Sequence, residues 1–359
     1  MKIVYIAETS LTNNSAYAHH VIKMCDAFSQ LNQDVVLYIP KLHKNFQYEE
    51  IKKKYLLLSR KKFKIKSLIN FKLTNFFLKI YFLSQVLKNI YKDKPNIILT
   101  RSFLSSIILS LFKIKHILEI HAEFQSLTKF LMINLNFINS SYISKKILIS
   151  ESLNKIFKFN KNEYIVLHDG VDVKNFSGFN EKSNIKKVSY VGSFYKGRGI
   201  ELILHLAKKF PNLMFELYGQ ANNNFKTDLE NVKIYGYINY CNVPNILCNS
   251  DLLLMPYSKK VSVRSKTLDT ADYCSPLKMF DYLAAGRLIV SSKLDGICEV
   301  LKHKKNAIIV DGFDYKAWEK EINNILNNKY DITTIQKNAF DTANEFTWAK
   351  RVSKILNKI

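Results

Sequence analysis

The chain has few of the residues that form disulfide frameworks, metal sites or sharp turns. Of its 359 residues, only 10 are Gly, 6 are Pro and 5 are Cys. The cysteines are odd in number and form neither a Cys-x-x-Cys pair nor a Cys/His cluster at zinc-ligand spacing, which favours a reducing compartment. No apolar run approaches the roughly 20 residues that a membrane-spanning helix needs, and the first residues do not form a leader. We therefore predict a cytoplasmic protein without transmembrane helices or a structural metal.

Acidic residues are also scarce. There are 30 Asp and Glu against 54 Lys and Arg, a formal net charge of +24, which implies an anionic partner, surface or substrate. The excess is large in residues 41–94, where 15 basic and 3 acidic residues alternate with aromatic and aliphatic ones. This pattern is typical of basic amphipathic helices on an anionic membrane, but also of core-packing helices with a solvated lysine face. No stretch matches a helix-turn-helix, zinc-finger or RNA-recognition motif, so we do not expect a nucleic-acid partner.

The chain is rich in short β-branched runs that alternate with longer segments of helical apolar spacing. This alternation is typical of a parallel sheet covered by helices, and the length favours two domains. We predict two doubly wound, Rossmann-like domains that cover residues 1–175 and 186–340 and divide in the polar stretch Lys174–Lys186. The predicted strands are 2–6, 34–39, 96–100, 116–120, 146–149 and 164–167 in the first half, and 187–191, 213–218, 232–235, 251–255, 288–291 and 307–310 in the second.

All ten glycines lie beyond residue 169, so loops that approach a ligand closely are predicted in the second half. One such loop follows a predicted strand and precedes a helix. The missing side chain at Gly192 lets the backbone approach a phosphate, while Lys196 and Arg198 can neutralise a diphosphate. A further turn is centred on Gly219.

A second anion-binding segment begins at Ser275. Ser275 as N-cap and Pro276 at the first helical position predict a helix with free backbone N–H groups, to which Lys278 adds a mobile positive charge. Asp281, about one and a half turns further along, can accept hydrogen bonds from a diol such as ribose. A capped core helix with an ion-paired aspartate has the same pattern. The pairing of this segment with the Gly192 loop is typical of a nucleoside-diphosphate site.

These motifs resemble the family-4 retaining glycosyltransferases of the GT-B fold, in particular the bacterial branch that builds surface polysaccharides. The resemblance covers nearly the whole chain. The segments that carry it are 22–28, 118–121 (LEIH), 168–172 (HDGVD), 190–193 (YVGS), 252–257 (LLLMPY), 269–270, 275–286 (SPLKMFDYLAAG) and 289–292.

The resemblance implies two Rossmann-like domains that face each other across a cleft, with residues 341–359 as a helix that crosses back to the N-terminal domain. It implies transfer of a hexose-type sugar from a nucleoside-diphosphate sugar to a hydroxyl acceptor with retention, without a metal or other cofactor. The acceptor is expected to be a lipid-linked or growing oligosaccharide. Such an acceptor suits a peripheral enzyme that docks on the inner face of the cytoplasmic membrane through residues 41–94. The loop Ser258–Ala271 is expected to shape the sugar pocket.

The resemblance also implies roles for individual residues. His121 occupies the position of the family's acceptor-cleft histidine, and Asp281 that of the carboxylate that binds the donor ribose. Arg198 and Lys278 complete the implied catalytic set as diphosphate-binding cations. The base is expected to lie against the backbone of 236–237 and of Val243 and Pro244. The implied donor-binding residues are Gly192, Ser193, Lys196, Gly219, Val243, Pro244, Ser275, Pro276 and Leu277.

Three positions depart from the family pattern. Asp281 replaces the usual glutamate, Tyr273 replaces the first glutamate of an E-x7-E pair, and Ser193 replaces one of the two diphosphate cations, for which Lys196 or Lys278 compensates. These departures leave open a non-catalytic membrane or nucleic-acid binding protein with a degenerate nucleotide site. A nucleotide-sugar epimerase has the same architecture, but the carboxylates and histidines that it needs around the sugar are not assembled here.

Overall fold

The structure, a computed structural model, describes residues 1–11, 15–41, 47–69, 73, 75–220, 227–258, 270–311 and 314–358. The chain divides into two compact units. Unit 1 comprises Met1–Ile149, Leu153–His168 and Trp348–Ile359, and unit 2 comprises Ser150–Ser152 and Asp169–Thr347.

The division between the units falls at His168 and Asp169, ahead of the polar stretch Lys174–Lys186 where the sequence predicts it. Part of that stretch is held within unit 2. The Lys182 backbone N–H donates to the Gln336 side chain at 3.1 Å, and the Gln336 amide donates back to the Lys182 carbonyl at 2.8 Å. A polar, lysine-rich composition therefore does not mark a linker here, because its backbone is paired.

Unit 1 contains one parallel sheet, which has seven strands among the described residues, in the order β3-β2-β1-β4-β5-β6-β7. Its central strands are buried on both faces, as expected for a parallel sheet covered by helices, and Val4 pairs with Val36 on one side and Ile98 on the other. The strands are β1 (Lys2–Ile6), β2 (Asp34–Ile39), β3 (Lys64–Ser67), β4 (Ile97–Thr100), β5 (His116–Ile120), β6 (Ile143–Leu148) and β7 (Tyr164–Val166).

Helices connect these strands. Apolar residues at helical spacing bury one side of α1, and side-chain caps from Ser15, Asn75 and Ser102 fix the starts of α1, α3 and α4. The helices of unit 1 are α1 (Ala16–Gln30), α2 (Tyr48–Tyr55), α3 (Phe76–Asp93), α4 (Phe103–Leu111), α5 (Ser126–Lys129), most of α6 (Glu151–Phe157) and, from the far end of the chain, α13 (Trp348–Leu356), which packs on α1.

Unit 2 contains a second parallel sheet, with six strands in the described part of the chain, in the order β10-β9-β8-β11-β12-β13. Its strands are β8 (Lys187–Val191), β9 (Met214–Tyr218), β10 (Val232–Gly236), β11 (Leu252–Met255), β12 (Leu288–Ser292) and β13 (Ile308–Val310). Its helices are α7 (Ile200–Lys209), α8 (Val243–Cys248), α9 (Leu277–Ala284), α10 (Asp295–Cys298), α11 (Tyr315–Leu326) and α12 (Ile332–Glu345). Two apolar clusters cover the faces of this sheet.

The doubly wound α/β class predicted from the sequence is confirmed in both units. All twelve predicted strands are present within a few residues of their predicted bounds. The thirteenth, β3, was not predicted, because it lies at the sheet edge and none of its four residues is buried. No helix among the described residues combines the length and the apolar character needed to cross a membrane.

Candidate functional site

The strand order of unit 2 reverses between β8 and β11, and parallel sheets of this kind bind ligands at the carboxyl ends of the strands beside such a reversal. Two glycines bring the loops at this edge into contact. A Cβ on Gly199 would lie 1.9 Å from the Pro256 carbonyl oxygen, and one on Gly219 would lie 1.8 Å from the Gly192 carbonyl oxygen. Side chains at these two positions would therefore separate the loops that form the predicted diphosphate site.

Lys278 extends from the second residue of α9 to the end of β8. Its Nζ lies 3.9 Å from the centroid of the Tyr190 ring and 4.9 Å from that of Tyr257. Among the described residues this buried Nζ has no hydrogen-bond partner. Burial, together with the nearby Arg198, holds the pKa of Lys278 well below its usual value. The site therefore contains an amine with free hydrogen-bonding capacity.

Arg198 is the second cation of this group. Its guanidinium carbon lies 4.9 Å from the centroid of the Tyr257 ring, and its Nε is buried without a partner in the described part of the chain. The Lys196 side chain is exposed, so Lys278 and not Lys196 accompanies Arg198. Ser193 contributes its backbone, because its carbonyl accepts a 2.9 Å hydrogen bond from the Tyr190 hydroxyl.

The start of α9 differs from the prediction. The helix begins at Leu277; Pro276 is the N-cap, with φ −73° and ψ 133°, and no side chain caps the helix. The predicted N-cap at Ser275 and first helical position at Pro276 are therefore wrong by one residue. The proline ring fixes φ near −65°, a value that extended and helical backbone share, and Pro276 adopts the extended form.

Asp281 lies on the next turn of α9 and is 8% exposed. Its Oδ1 accepts a 2.9 Å hydrogen bond from the hydroxyl of Tyr240, which belongs to the short turn ahead of α8. Burial and the Asp281 carboxylate raise the pKa of Tyr240 well above its usual value. Val243 and Pro244 begin α8 and are buried. The predicted ribose carboxylate and one of the two predicted base-binding segments are therefore joined through Tyr240.

Sequence reasoning missed three tyrosines of this site: Tyr190, Tyr240 and Tyr257. Tyr190 and Tyr257 belong to motifs that carry the resemblance. The sequence alone, however, does not show whether an aromatic residue at the end of a buried strand packs in the core or contacts a cation. Tyr273, at the position of a family glutamate, is 2% exposed. Asp269 and most of the loop Ser258–Ala271 lie outside the described residues.

In unit 1, His121 follows β5. Its Nε2 is buried and has no hydrogen-bond partner among the described residues. The His20 ring packs edge-on against the His121 ring, with centroids 4.7 Å apart and an interplanar angle of 84°. Burial lowers the pKa of His121 well below its usual value, and the neighbouring Arg101 and His20 lower it further. The structure therefore favours a neutral imidazole at this position.

Glu119, two residues before His121, is the centre of a buried polar cluster. Its carboxylate accepts hydrogen bonds from Arg351 Nη2 at 2.7 Å, from His20 Nε2 at 3.1 Å and from the Tyr5 hydroxyl. Burial alone would raise the pKa of Glu119, but His20 and Arg351 hold it well below its usual value. Glu119 lies in the quoted LEIH segment, yet its partners come from distant parts of the sequence, so the sequence did not indicate the cluster.

Three side chains of this cluster resemble a metal-ligand set. The ligand atoms of His20, Glu119 and His121 all lie within 4.8 Å of one another. Both Glu119 oxygens, however, already accept hydrogen bonds from side chains, and one donor is the Arg351 guanidinium. A divalent cation would have to displace these donors beside a fixed positive charge, so the residues fit a hydrogen-bonded ion cluster better than a metal site.

Comparisons with known proteins agree with this geometry. Residues 172–342 match the family described as Glycosyl transferases group 1, a segment that covers most of unit 2. Comparison of the sequence with curated proteins gave no match.

Solved structures resemble the whole chain. A glycosyltransferase from Rickettsia africae ESF-5 has a TM-score of 0.76 at 14% identity and covers 99% of this chain and 97% of its own. Sucrose-phosphate synthase from Thermosynechococcus elongatus has a TM-score of 0.75 at 14% identity, with the same coverage. HepE from Anabaena, in complex with UDP and glucose, has a TM-score of 0.72 at 13% identity, and both chains are covered completely.

These similarities identify the fold as GT-B, as the sequence predicts. The match of residues 172–342 to the group 1 glycosyltransferase model, together with these structural neighbours, supports membership of the GT-B glycosyltransferase superfamily.

Proposed function

We propose that this protein transfers a hexose-type sugar from a nucleoside-diphosphate sugar to a hydroxyl acceptor, with retention of anomeric configuration. The observation that carries the proposal is the pair of cations, Lys278 and Arg198, which lie around Tyr257 at the reversal point of the unit 2 sheet. Two positive charges can neutralise a diphosphate, and a loop that contains glycine lets the backbone approach its phosphate groups. HepE, a structural neighbour of similar fold, was solved in complex with UDP and glucose, which supports a nucleoside-diphosphate sugar as the donor by analogy.

In the proposed reaction, the bond between the sugar C1 and the diphosphate oxygen breaks, a bond forms between that carbon and the acceptor hydroxyl oxygen, and the hydroxyl proton passes to the departing diphosphate, on which negative charge develops. Lys278 and Arg198 stabilise that charge electrostatically, and a phosphate oxygen supplies the hydrogen-bond acceptor that the buried Lys278 ammonium lacks within the described protein. Asp281, held by Tyr240, accepts hydrogen bonds from the ribose. The base lies against the backbone of 236–237 and 243–244. The proposed reaction uses neither a covalent protein nucleophile nor a metal.

His121 is proposed to bind a hydroxyl group through Nε2. The buried, partner-free Nε2 and the lowered pKa support this role, because a neutral imidazole can donate or accept one hydrogen bond there. The Glu119 cluster fixes the neighbouring His20 ring, against which His121 packs. An orienting role predicts that His121→Ala keeps donor affinity and loses transfer.

The acceptor is proposed to be lipid-linked or a growing oligosaccharide, in the synthesis of surface polysaccharide or glycolipid at the inner face of the cytoplasmic membrane. In unit 1, α4 packs against α3 and against the helical turn Phe130–Asn134. These three elements expose large apolar side chains, and Lys113, Lys115 and Lys129 are exposed in the same part of the chain. We call this surface the apolar-basic face; its apolar members are Phe76, Phe77, Ile80, Tyr81, Leu111, Phe112, Phe130 and Ile133.

Vesicle sedimentation tests the membrane part of the proposal. Wild-type protein is expected to sediment with vesicles that contain anionic phosphatidylglycerol, and to do so less with phosphatidylcholine alone. Phe77→Glu, at a side chain that is 82% exposed, should reduce binding to anionic vesicles several-fold. Leu326→Glu, at an exposed apolar position in unit 2, is the matched control and should bind as the wild type does. Equal binding by both variants would contradict docking through the apolar-basic face.

A thermal-shift panel of UDP, GDP, ADP, CMP and TDP tests the donor site. A nucleotide at 100 times its dissociation constant adds about 2.7 kcal/mol to the free energy of unfolding, which is a measurable shift. We expect one nucleoside diphosphate to stabilise the wild type and the exposed-site control Asp228→Ala, but not Asp281→Ala. Absence of a shift with every nucleotide would favour a degenerate site. Once the donor is known, NMR of the first-formed glycoside checks retention.

A further inference from the structure

The two cations of the candidate site in unit 2, Lys278 and Arg198, contact aromatic rings and no carboxylate of the described residues. Neither Lys278 nor Arg198 forms an ion pair with any described residue. Buried lysine and arginine side chains usually have such a partner, because an unpaired charge is costly to bury. Two nearly buried rings take its place: Tyr190, which is 1% exposed, and Tyr257, which is 2% exposed.

Both rings are fixed by the fold. Tyr190 lies on β8, and its hydroxyl donates to the Ser193 carbonyl at 2.9 Å. Tyr257 follows β11 directly, where its backbone N–H donates to the Met255 carbonyl at 3.0 Å. The next residue, Ser258, donates its N–H to the Gly197 carbonyl at 3.0 Å, which joins the Tyr257 loop to the turn that carries Arg198. The Tyr190 hydroxyl bond, the paired backbone of the Tyr257 loop and the near-complete burial of both rings therefore restrict the movement of the rings away from the cations.

We propose that Tyr190 and Tyr257 are positioning residues that hold Lys278 and Arg198 in place for the two phosphate groups of a nucleoside diphosphate. This inference rests on the proposed function and deepens it. The face of an aromatic ring attracts a cation through its quadrupole but does not neutralise it. A carboxylate at the same place would pair with the cations and compete with the phosphates. The Tyr257 ring, 4.9 Å from both Lys278 Nζ and Arg198 Cζ, also fixes the separation of two charges that repel each other.

The test compares the affinity for a nucleoside diphosphate with that for the matching monophosphate, by calorimetry. The probes are UDP and UMP, or the corresponding pair for whichever base the thermal-shift panel selects. Tyr257→Leu removes the ring but keeps an apolar side chain, and it should lower the ratio of diphosphate to monophosphate affinity about ten-fold, the scale of a desolvated cation–aromatic contact. Tyr257→Phe keeps the ring and should leave that ratio within about two-fold of the wild type. A purely structural role would not change the ratio.

Tyr330→Leu is the matched control, because it removes another lysine–aromatic contact in unit 2, between Tyr330 and Lys304 Nζ at 5.4 Å. Its affinity ratio should equal that of the wild type. An unchanged ratio in Tyr257→Leu, or an equal loss in Tyr257→Phe, would overturn the positioning role and leave the proposed function intact. If the wild type binds no nucleoside diphosphate, the proposed function itself fails.

A measurement on the wild type covers the case in which Tyr257→Leu does not fold. The lysine Nζ lies 3.9 Å from the Tyr190 centroid, so the adjacent Hε protons of Lys278 lie in the ring-current field of that tyrosine. In protein labelled with ¹³C at lysine Cε, one signal should lie upfield of the others and be absent in Lys278→Arg. A spectrum without an upfield lysine signal would show that the rings do not hold Lys278, and the inference would be wrong.

Discussion

Arg351 Nη2 donates a 2.7 Å hydrogen bond to Glu119 Oε1, which connects α13 to β5, an interior strand of the unit 1 sheet. The two side chains are 3% and 0% exposed. Arg351 also donates to the carbonyls of Leu167 and His168. The last described helix is thus part of the unit 1 core. Glu119 of this ion pair also accepts a hydrogen bond from His20, whose ring packs against that of His121.

Arg351→Met should destabilise unit 1 strongly, because it leaves the Glu119 carboxylate buried with one charge partner fewer. Removal of one partner from a buried ion pair costs about 3–5 kcal/mol of unfolding free energy. Urea denaturation followed by circular dichroism measures this loss. The control is Lys337→Met, in an exposed pair with Asp341 whose side chains are 62% and 59% exposed, where about 0.5 kcal/mol or less is expected. Similar losses in the two variants would contradict a structural role for the buried pair.

Lys278→Met should have opposite effects on stability and on donor binding. Without nucleotide, the variant replaces a buried ammonium that has no hydrogen-bond partner among the described residues with an apolar group, and we expect it to gain about 1 kcal/mol in unfolding free energy. Its affinity for a nucleoside diphosphate should fall at least ten-fold, because one phosphate loses a charge-assisted hydrogen bond. Thermal unfolding and calorimetry measure the two effects. Lys196→Met, at an exposed lysine on the loop between β8 and α7, should change both much less. A destabilised Lys278→Met would contradict the prediction.

The strands could be predicted from the sequence because parallel strands buried on both faces have continuous β-branched runs. The edge strand β3 was missed since its pattern, KIKS, contains only one apolar residue. The segments that meet at the candidate site could also be picked out from the sequence, because glycine at 192 and 219 and lysine at 278 are local signals; their role in binding a diphosphate stays a prediction. The start of α9 was misplaced by one residue, because a proline is compatible with both the N-cap and the first helical position.

The partners of the functional side chains could not be predicted. Tyr257 lies close to Lys278, and Tyr240 to Asp281, only after the sheet of unit 2 has formed. The Glu119–Arg351 pair joins residues 232 positions apart. Contacts of this kind depend on which strand ends lie side by side, and a single sequence contains no direct record of that order.

Asp281 should distinguish ribose from sugars that lack the vicinal hydroxyl groups. The wild type is expected to bind UDP, or the diphosphate that the panel selects, about 10–100-fold more tightly than its 2′,3′-dideoxy analogue, the scale of hydrogen bonds to a charged group. Asp281→Ala should bind both equally weakly. Tyr240→Phe removes the 2.9 Å hydrogen bond that orients the carboxylate and should give an intermediate preference. Calorimetry with the two nucleotides measures the preference, and its persistence in Asp281→Ala would place the ribose elsewhere.

His116 should make unit 1 less stable in mild acid. Its Nδ1 donates to the Ile114 carbonyl at 2.9 Å, and its Nε2 accepts from the Ser106 hydroxyl at 2.7 Å, so the fold holds the neutral imidazole. Burial lowers the pKa of His116 to about 4, below its unfolded value of about 6.5. Between these two values the unfolded state binds the proton more readily, so the stabilisation is complete above about pH 6.5 and is lost as the pH falls towards 4.

His116→Gln keeps a donor and an acceptor but does not titrate. The free energy of unfolding of the wild type minus that of this variant should therefore be constant above about pH 6.5 and should fall by on the order of 3 kcal/mol as the pH approaches 4. Urea denaturation at a series of pH values measures the difference, in which the contributions of the other buried histidines cancel. A difference that stays constant down to pH 4.5 would show that His116 is not held neutral by the fold.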